Sequence, residues 1–133
     1  MATIETVYLG GLRTEAIHVQ SGNKLITDAP TDNQGRGEAF SPTDLLSASL
    51  GSCMLTIMGI LARNHNFNID NTKCSITKIM AQNPRRVGEI QISFMFPEQY
   101  SEKEQKMLEN AALTCPVLES LHPDLIKTVN FGW

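Results

Sequence analysis

From Leu45 to Ala62 the chain carries no charged residue, and this run restricts the fold more than any other feature of the sequence. At the helical period, Leu46, Leu50, Ile57 and Leu61 form one face, Met54 and Met58 a second, and Ser49, Ser52, Thr56 and Gly59 a third built of small residues. A helix with no charged face is expected to be buried all round, and its strip of small side chains suits close approach by another helix. A chain of 133 residues is too short to enclose such a helix alone, so a homodimer formed around it is predicted. The run is also long enough to be weighed as a membrane span. Ser47, Ser49, Ser52 and Thr56 dilute it, however, and neither an aromatic belt nor a basic flank frames it, so burial in a soluble protein is the reading adopted.

The helix has a clear start. Ser41 suits the cap, Pro42 the first helical position, and Asp44 the acid of a capping box. It is expected to run to about Arg63 and to stop in "NHNFN", where Asn tolerates the left-handed geometry of a helix end. Upstream, "TIETVYLGGLRTEAIHV" alternates weakly about Gly10 and Gly11 as a hairpin does, and Thr27 to Pro42 reads as one Pro-, Gly- and Asn-rich loop. Downstream, "KCSITKIMA" and "VGEIQISFMF" alternate with period two and are joined by "QNPRRVG", a second hairpin. Ser101 and Glu104 form another capping box, opening a helix with Met107, Leu108, Ala111 and Leu113 on or near its buried side. A short helix begins at Pro116 and "LIKTVNFGW" reads as a last strand. This order predicts an α+β fold in one domain over 1–133: hairpin and loop 1–41, central helix 42–64, hairpin 72–97, and C-terminal helices and strand 101–133.

Charge and cysteine usage narrow the function. A net charge of -3 with 11 Lys plus Arg supplies no basic stripe for a nucleic-acid backbone. The opening "MATIETVYLG" has neither a basic segment nor a long apolar one, so a cytoplasmic protein is expected. Cys53, Cys74 and Cys115 include no close pair and fit neither a disulfide framework nor the usual zinc spacing. His18, His65 and His122 are scattered and suggest no metal triad.

The thiols are the chemistry to explain. The helical neighbours of Cys53 are Leu46, Ser49, Ile57 and Ile60, none of them a cation, and burial alone raises a thiol's pKa. Cys53 is therefore either a small buried hydrophobe or a nucleophile served by an arginine or lysine from another segment. Cys115 precedes Pro116 at a helix cap, where free N–H groups favour a thiolate, although a cysteine is also tolerated there as a plain cap. Cys74, between Lys73 and Ser75, reads as core filler. Arg63 is explained by the helix C-terminus, and Arg85 and Arg86 by a solvated turn, which leaves Arg13 and Arg36 as candidates to reach Cys53. Glu38 and Asp44 are the nearest acids able to hold a guanidinium through a two-point pair. An apolar wall of Leu46, Leu50, Met54 and Ile57 would favour an alkyl chain as ligand.

"SPTDLLSASLGSCMLTIMGILARNHNFNI", followed by "LTCPVLESL", resembles the OsmC/Ohr family of bacterial peroxide-reducing proteins over most of the chain. The resemblance implies a tightly intertwined α+β homodimer, a long buried central helix packed by antiparallel sheets, and active sites at the subunit interface. It implies that Cys53 attacks an organic or lipid hydroperoxide to become a sulfenic acid and that Cys115 resolves it as a disulfide. An arginine, Arg36 or Arg13, would supply the missing cation, with Glu38 or Asp44 as its acid. The family's glutamate after the Ser-Pro pair is replaced here by Thr43, with the acid at Asp44. No metal, haem or flavin is implied, and regeneration would fall to an external dithiol, a lipoyl-bearing protein or a small thiol, in oxidative stress defence. A different class of function keeps the fold without turnover: a dimeric module that binds an apolar small molecule, its cysteines structural.

Overall fold

Gly10 and Gly11, with φ of 86° and 60°, reverse the chain between strands β1 (Ile4–Gly10) and β2 (Arg13–His18), where the sequence places a hairpin. The computed structural model describes residues 1–133 and divides into two units, Met1–Leu46 and Ser47–Trp133. In the first unit a third strand, β3 (Lys24–Asp28), joins the hairpin to give an antiparallel sheet of order β1-β2-β3. This strand is an addition to the sequence reading, whose loop begins at Thr27. Its register sets Thr27 opposite Thr14 and Asp28 opposite Arg13. Ile4, Val7, Tyr8 and Leu9 all remain exposed on β1.

The loop that follows is ordered by its own backbone. Asn33 and Gly35 N–H donate to the Pro30 carbonyl, Gly37 N–H to Ala29, Ala29 N–H to Leu12 and Asp28 N–H to Phe40. Gly35 is required: a Cβ there would stand 1.7 Å from the Ala29 carbonyl oxygen. Helix α1 (Pro42–Asn64) then starts as expected. Ser41 Oγ accepts from Asp44 N–H at 3.1 Å while Asp44 Oδ2 accepts from Ser41 N–H at 3.0 Å, a reciprocal box that satisfies two otherwise orphaned donors.

The second unit holds the core. Along α1, Ser47, Leu50, Gly51, Met54, Met58 and Ala62 are buried, spaced by three or four residues. Ser49, Ser52, Thr56 and Ile60 are exposed, and Ile57 and Leu61 half-buried. The expectation of burial all round is therefore not met within one chain, which buries a single face. That face meets a second sheet of order β4-β5-β6, from β4 (Lys73–Ala81), β5 (Arg86–Met95) and β6 (Ile126–Asn130). The β4 and β5 strands form the expected antiparallel hairpin, while β6 runs parallel to β5. Period two is kept on β5 through Ile90, Ile92 and Phe94, all buried, while Val87, also buried, falls out of that phase beyond a register shift in the β4–β5 pairing.

Gly51 sets how closely helix and sheet approach: a Cβ on it would lie 2.5 Å from Ile76 Cδ1 and 3.3 Å from Cys74 Sγ. Leu50, Met54, Met58, Ile90, Ile92 and Leu108 have no more than 1% of their surface exposed. Each such side chain contributes roughly 1.5–3 kcal/mol by leaving water. Helix α2 (Glu102–Ala112) opens on the Ser101–Glu104 capping box and buries Leu108 and Ala112. Leu113, expected near the buried side, caps the helix and is exposed. Helix α3 spans Pro116–Ser120.

Aromatic rings close the far end of this unit. Phe67 meets Tyr100 (5.8 Å between centroids), Tyr100 meets Phe96 (5.7 Å), and Phe96 meets Trp133 (4.6 Å), which also stacks on Phe131 (5.6 Å). Tyr100 Oη donates to the Asn68 carbonyl at 2.8 Å, tying the segment after α1 to the segment before α2.

Candidate functional site

Two polar constellations stand out, one in each unit. In the first, the sheet register brings Arg13 and Asp28 face to face. Arg13 Nε donates to Asp28 Oδ1 at 2.7 Å and Nη2 to Oδ2 at 2.8 Å, a two-point pair. Nη2 also donates to Glu38 Oε1 at 3.1 Å, and Glu38 N–H donates to Asp28 Oδ2 at 3.2 Å. Asp28 is 1% exposed, whereas the Glu38 side chain is 66% exposed. The Arg13 guanidinium holds the Asp28 carboxyl below the usual range, outweighing the burial that opposes it, and Asp28 in turn raises Arg13 further above its already high value.

Sequence reasoning placed Glu38 beside a candidate arginine and missed Asp28, whose role depends on a strand it did not identify. Arg36 lies across Gly11, where a Cβ would stand 2.5 Å from its Nη2, and its charge adds to the field that keeps Asp28 ionised. Asp44 is engaged with Ser41 in the α1 cap.

In the second unit, Cys53 and Cys115 are both free, and Cys53 lies close enough to Cys115 to perturb its thiol. Cys53 projects half-buried from the middle of α1; Cys115, fully buried, caps α3, its Sγ accepting from Leu118 N–H at 3.5 Å. Burial pushes the Cys115 thiol up, the Leu118 N–H pulls it down, and the neighbouring Cys53 pushes it up again. The net direction is upward. The expectation that the helix cap favours a thiolate is thus reversed, because α3 has only five residues and desolvation outweighs its N–H groups. Cys74 is half-buried beside Gly51, and burial raises its thiol too.

The four residues expected to form an apolar wall do not share a surface. Leu50 and Met54 are wholly inside the core, Ile57 is half-buried and Leu46 is exposed. Arg86, expected to be solvated, closes the hairpin turn by donating from Nη1 to the Gln82 and Pro84 carbonyls at 2.8 and 2.9 Å. No group of three His, Cys, Asp or Glu side chains is arranged to hold a metal ion.

An α+β chain with a thiol on a long central helix and a second thiol at a helix cap defines a class, and residues 35–128 match the model of the OsmC-like protein family. The chain belongs to that family. A Psychrobacter arcticus 273-4 protein, provisionally described as an osmotic stress induced and detoxification response protein, is 55% identical to it. Their structures agree with a TM-score of 0.95 over 98% of this chain and 95% of that one. Organic hydroperoxide resistance proteins share the fold at lower identity. Those of Legionella pneumophila (14% identity, TM-score 0.75, 98% and 96% of the two chains) and Elizabethkingia anophelis (15%, 0.75, 98% and 95%) are examples. No curated protein matches the chain.

Proposed function

We propose that this protein is a thiol-dependent peroxidase that reduces organic hydroperoxides in defence against oxidative stress. The observation that carries the proposal is the meeting of two free thiols, Cys53 and Cys115, in apolar surroundings. In the first step the Cys53 thiolate attacks the terminal oxygen of the hydroperoxide. The O–O bond breaks, the alcohol leaves with a proton, and Cys53 becomes a sulfenic acid. In the second, Cys115 sulfur attacks the Cys53 sulfur, the S–O bond breaks, water leaves and a disulfide forms. A neutral Cys115 thiol suits this order, since it stays out of competition with Cys53 for the peroxide and gives up its proton only as the disulfide forms. An external dithiol, such as a lipoyl group on a protein, then restores both thiols by exchange.

Arg13 or Arg36 would supply the cation of the first step; of the two, Arg13 has its guanidinium held by two carboxylates. A cytoplasmic homodimer completes the proposal. One third of the most apolar stretch of α1 is buried in a single chain, and β1 leaves its apolar side chains exposed, so a second copy has apolar surface to cover.

The test is a free-thiol count with disulfide mapping by mass spectrometry after one equivalent of cumene hydroperoxide, on the native chain, Cys53→Ser and Cys115→Ser. A Cys53 to Cys115 disulfide in the native chain, and a sulfenic acid on Cys53 in Cys115→Ser, are expected. Three unreacted thiols would overturn the proposal and leave the module that binds an apolar molecule as the better reading.

A further inference from the structure

We propose that the hollow between the end of β5, the start of α2 and the segment after β6 binds a small molecule carrying a quaternary ammonium group, held by aromatic rings and the carboxylate of Glu98. The site lies within the second unit and makes no use of the thiols, so it stands apart from the proposed peroxidase chemistry. Its walls follow from the strands. Phe94 and Phe96 are two residues apart at the end of β5, Phe131 and Trp133 two residues apart just past β6, and the two strands run parallel side by side. The rings therefore meet in pairs: Phe94 with Phe131 at 5.4 Å and 22°, Phe96 with Trp133 at 4.6 Å and 31°. Tyr100 stands across them, at 79° to Phe96 and 71° to Trp133.

A ring cluster that served packing alone would be filled, because protein interiors are close-packed. This one borders a hollow of about 550 Å³, within the range of small-molecule sites. Phe96 and Phe131 are only half-buried and Trp133 is 42% exposed, so aromatic surface remains for a ligand. The cage is also held in shape beforehand. Tyr100 Oη donates to the Asn68 carbonyl at 2.8 Å, Gln105 Nε2 donates to the Tyr100 carbonyl at 3.1 Å, and the Trp133 indole N–H donates to Glu109 Oε1 at 3.5 Å.

Charge decides which ligand fits. Glu98 is the one charged side chain among the lining residues, and Lys103 and Lys106 of α2 are exposed and not among them. Burial, then Glu98, then Glu104 push the Tyr100 hydroxyl up, so the negative field of both carboxylates reaches the ring. An anion is repelled there, and a neutral ligand leaves Glu98 unused. The Tyr100 hydroxyl and the Gln105 amide N–H are already committed to backbone carbonyls, which leaves little for a ligand rich in hydrogen-bond donors. A quaternary ammonium has no N–H to satisfy and spreads its charge over methyl groups, which aromatic faces attract.

The experiment is a proton NMR titration of the full-length protein with choline, followed at the Trp133 indole and the phenyl ring resonances. Dimethylbutanol, the neutral isostere with carbon in place of nitrogen, and sodium chloride at matched ionic strength serve as controls. Choline is expected to shift the ring resonances saturably, with a dissociation constant on the order of 1 mM, and the isostere to bind about 5-fold or more weakly. Glu98→Gln should weaken choline by about 3-fold to 10-fold and leave the isostere within about twofold. Phe96→Leu, which keeps apolar bulk without a π face, should weaken choline by a similar factor.

No saturable shift with choline in the native chain overturns the proposal, as does a shift that sodium chloride reproduces. Equal affinity for choline and its isostere overturns it in favour of a plain apolar pocket. If Phe96→Leu fails to melt cooperatively, Glu98→Gln, at an exposed position, decides: unchanged choline affinity there overturns the proposal.

Discussion

Asp28 and Cys115 are equally hidden from solvent and carry opposite charge states. Asp28 is 1% exposed and ionised; Cys115 is 0% exposed and held neutral. Burial penalises the charged form of both. The difference is the partner: a guanidinium grips both oxygens of Asp28, whereas Cys115 has one weak backbone donor and a second thiol. The contrast extends to the units that contain them. The first leaves β1 exposed and is organised by turns and by the Arg13, Asp28 and Glu38 network, while the second is organised by an apolar core from Leu50 to Leu125.

Core substitutions should strike the second unit hardest. Leu108→Ala, at a side chain with no exposed surface, is expected to cost about 2–5 kcal/mol in urea unfolding. Val7→Ala in β1, half exposed at 51%, should stay within about 0.5 kcal/mol unless a second copy covers it. A large loss at Val7 together with a dimeric mass would place this strand in the interface.

The interface has its own probe. Gly59 on the exposed side of α1 has nothing within 4 Å of where a Cβ would stand. In a lone chain Gly59→Ala should therefore stabilise by about 1 kcal/mol through helix propensity. Against a tightly packed second helix it should shift native mass spectra toward monomer, the outcome expected here.

The pH dependence separates the units by direction. Asp28 has a lowered pKa in the fold, so its contribution is present above the unfolded carboxylate value of about 3.9 and is lost as pH falls through the folded one. Cys115 and Cys74 have raised values, so their contribution is present below the unfolded thiol value of about 8.5 and is lost as pH rises through the folded ones. Acid melts followed in Arg13→Ala, which lacks the pair, should show a weaker dependence below pH of about 4 than the native chain. Equal acid dependence would mean that the Asp28 carboxylate gains nothing from its arginine. A modest effect is expected at the caps: Ser101→Ala removes one side of a capping box and should cost about 1 kcal/mol.

Local rules written in adjacent residues were readable in the sequence. Ser41, Pro42 and Asp44 announced α1, Ser101 and Glu104 announced α2, and the period of two announced β4 and β5. What escaped depends on pairing across the chain. Strand β3 has five residues and two buried positions, too few to establish a pattern, and without it Asp28 looks like one more loop acid. The face of α1 that packs within one chain was not singled out, for a related reason. Apolar residues surround the helix, so the buried side is chosen by where the second sheet and Gly51 allow close approach. The state of Cys115 turned on a contest between burial and a helix of five residues, and only the fold sets how deep the sulfur lies.

The aromatic stack has a practical consequence. Trp133 is the sole tryptophan, and it rests on Phe96 and Phe131 within the second unit, while the aromatic residues of the first unit are Tyr8 and Phe40. Emission excited at the indole thus watches one unit selectively, whereas far-ultraviolet dichroism sums over both. Superimposable melting curves from the two signals would mean that the chain unfolds as one cooperative body, and separated curves would time the loss of each unit without a label.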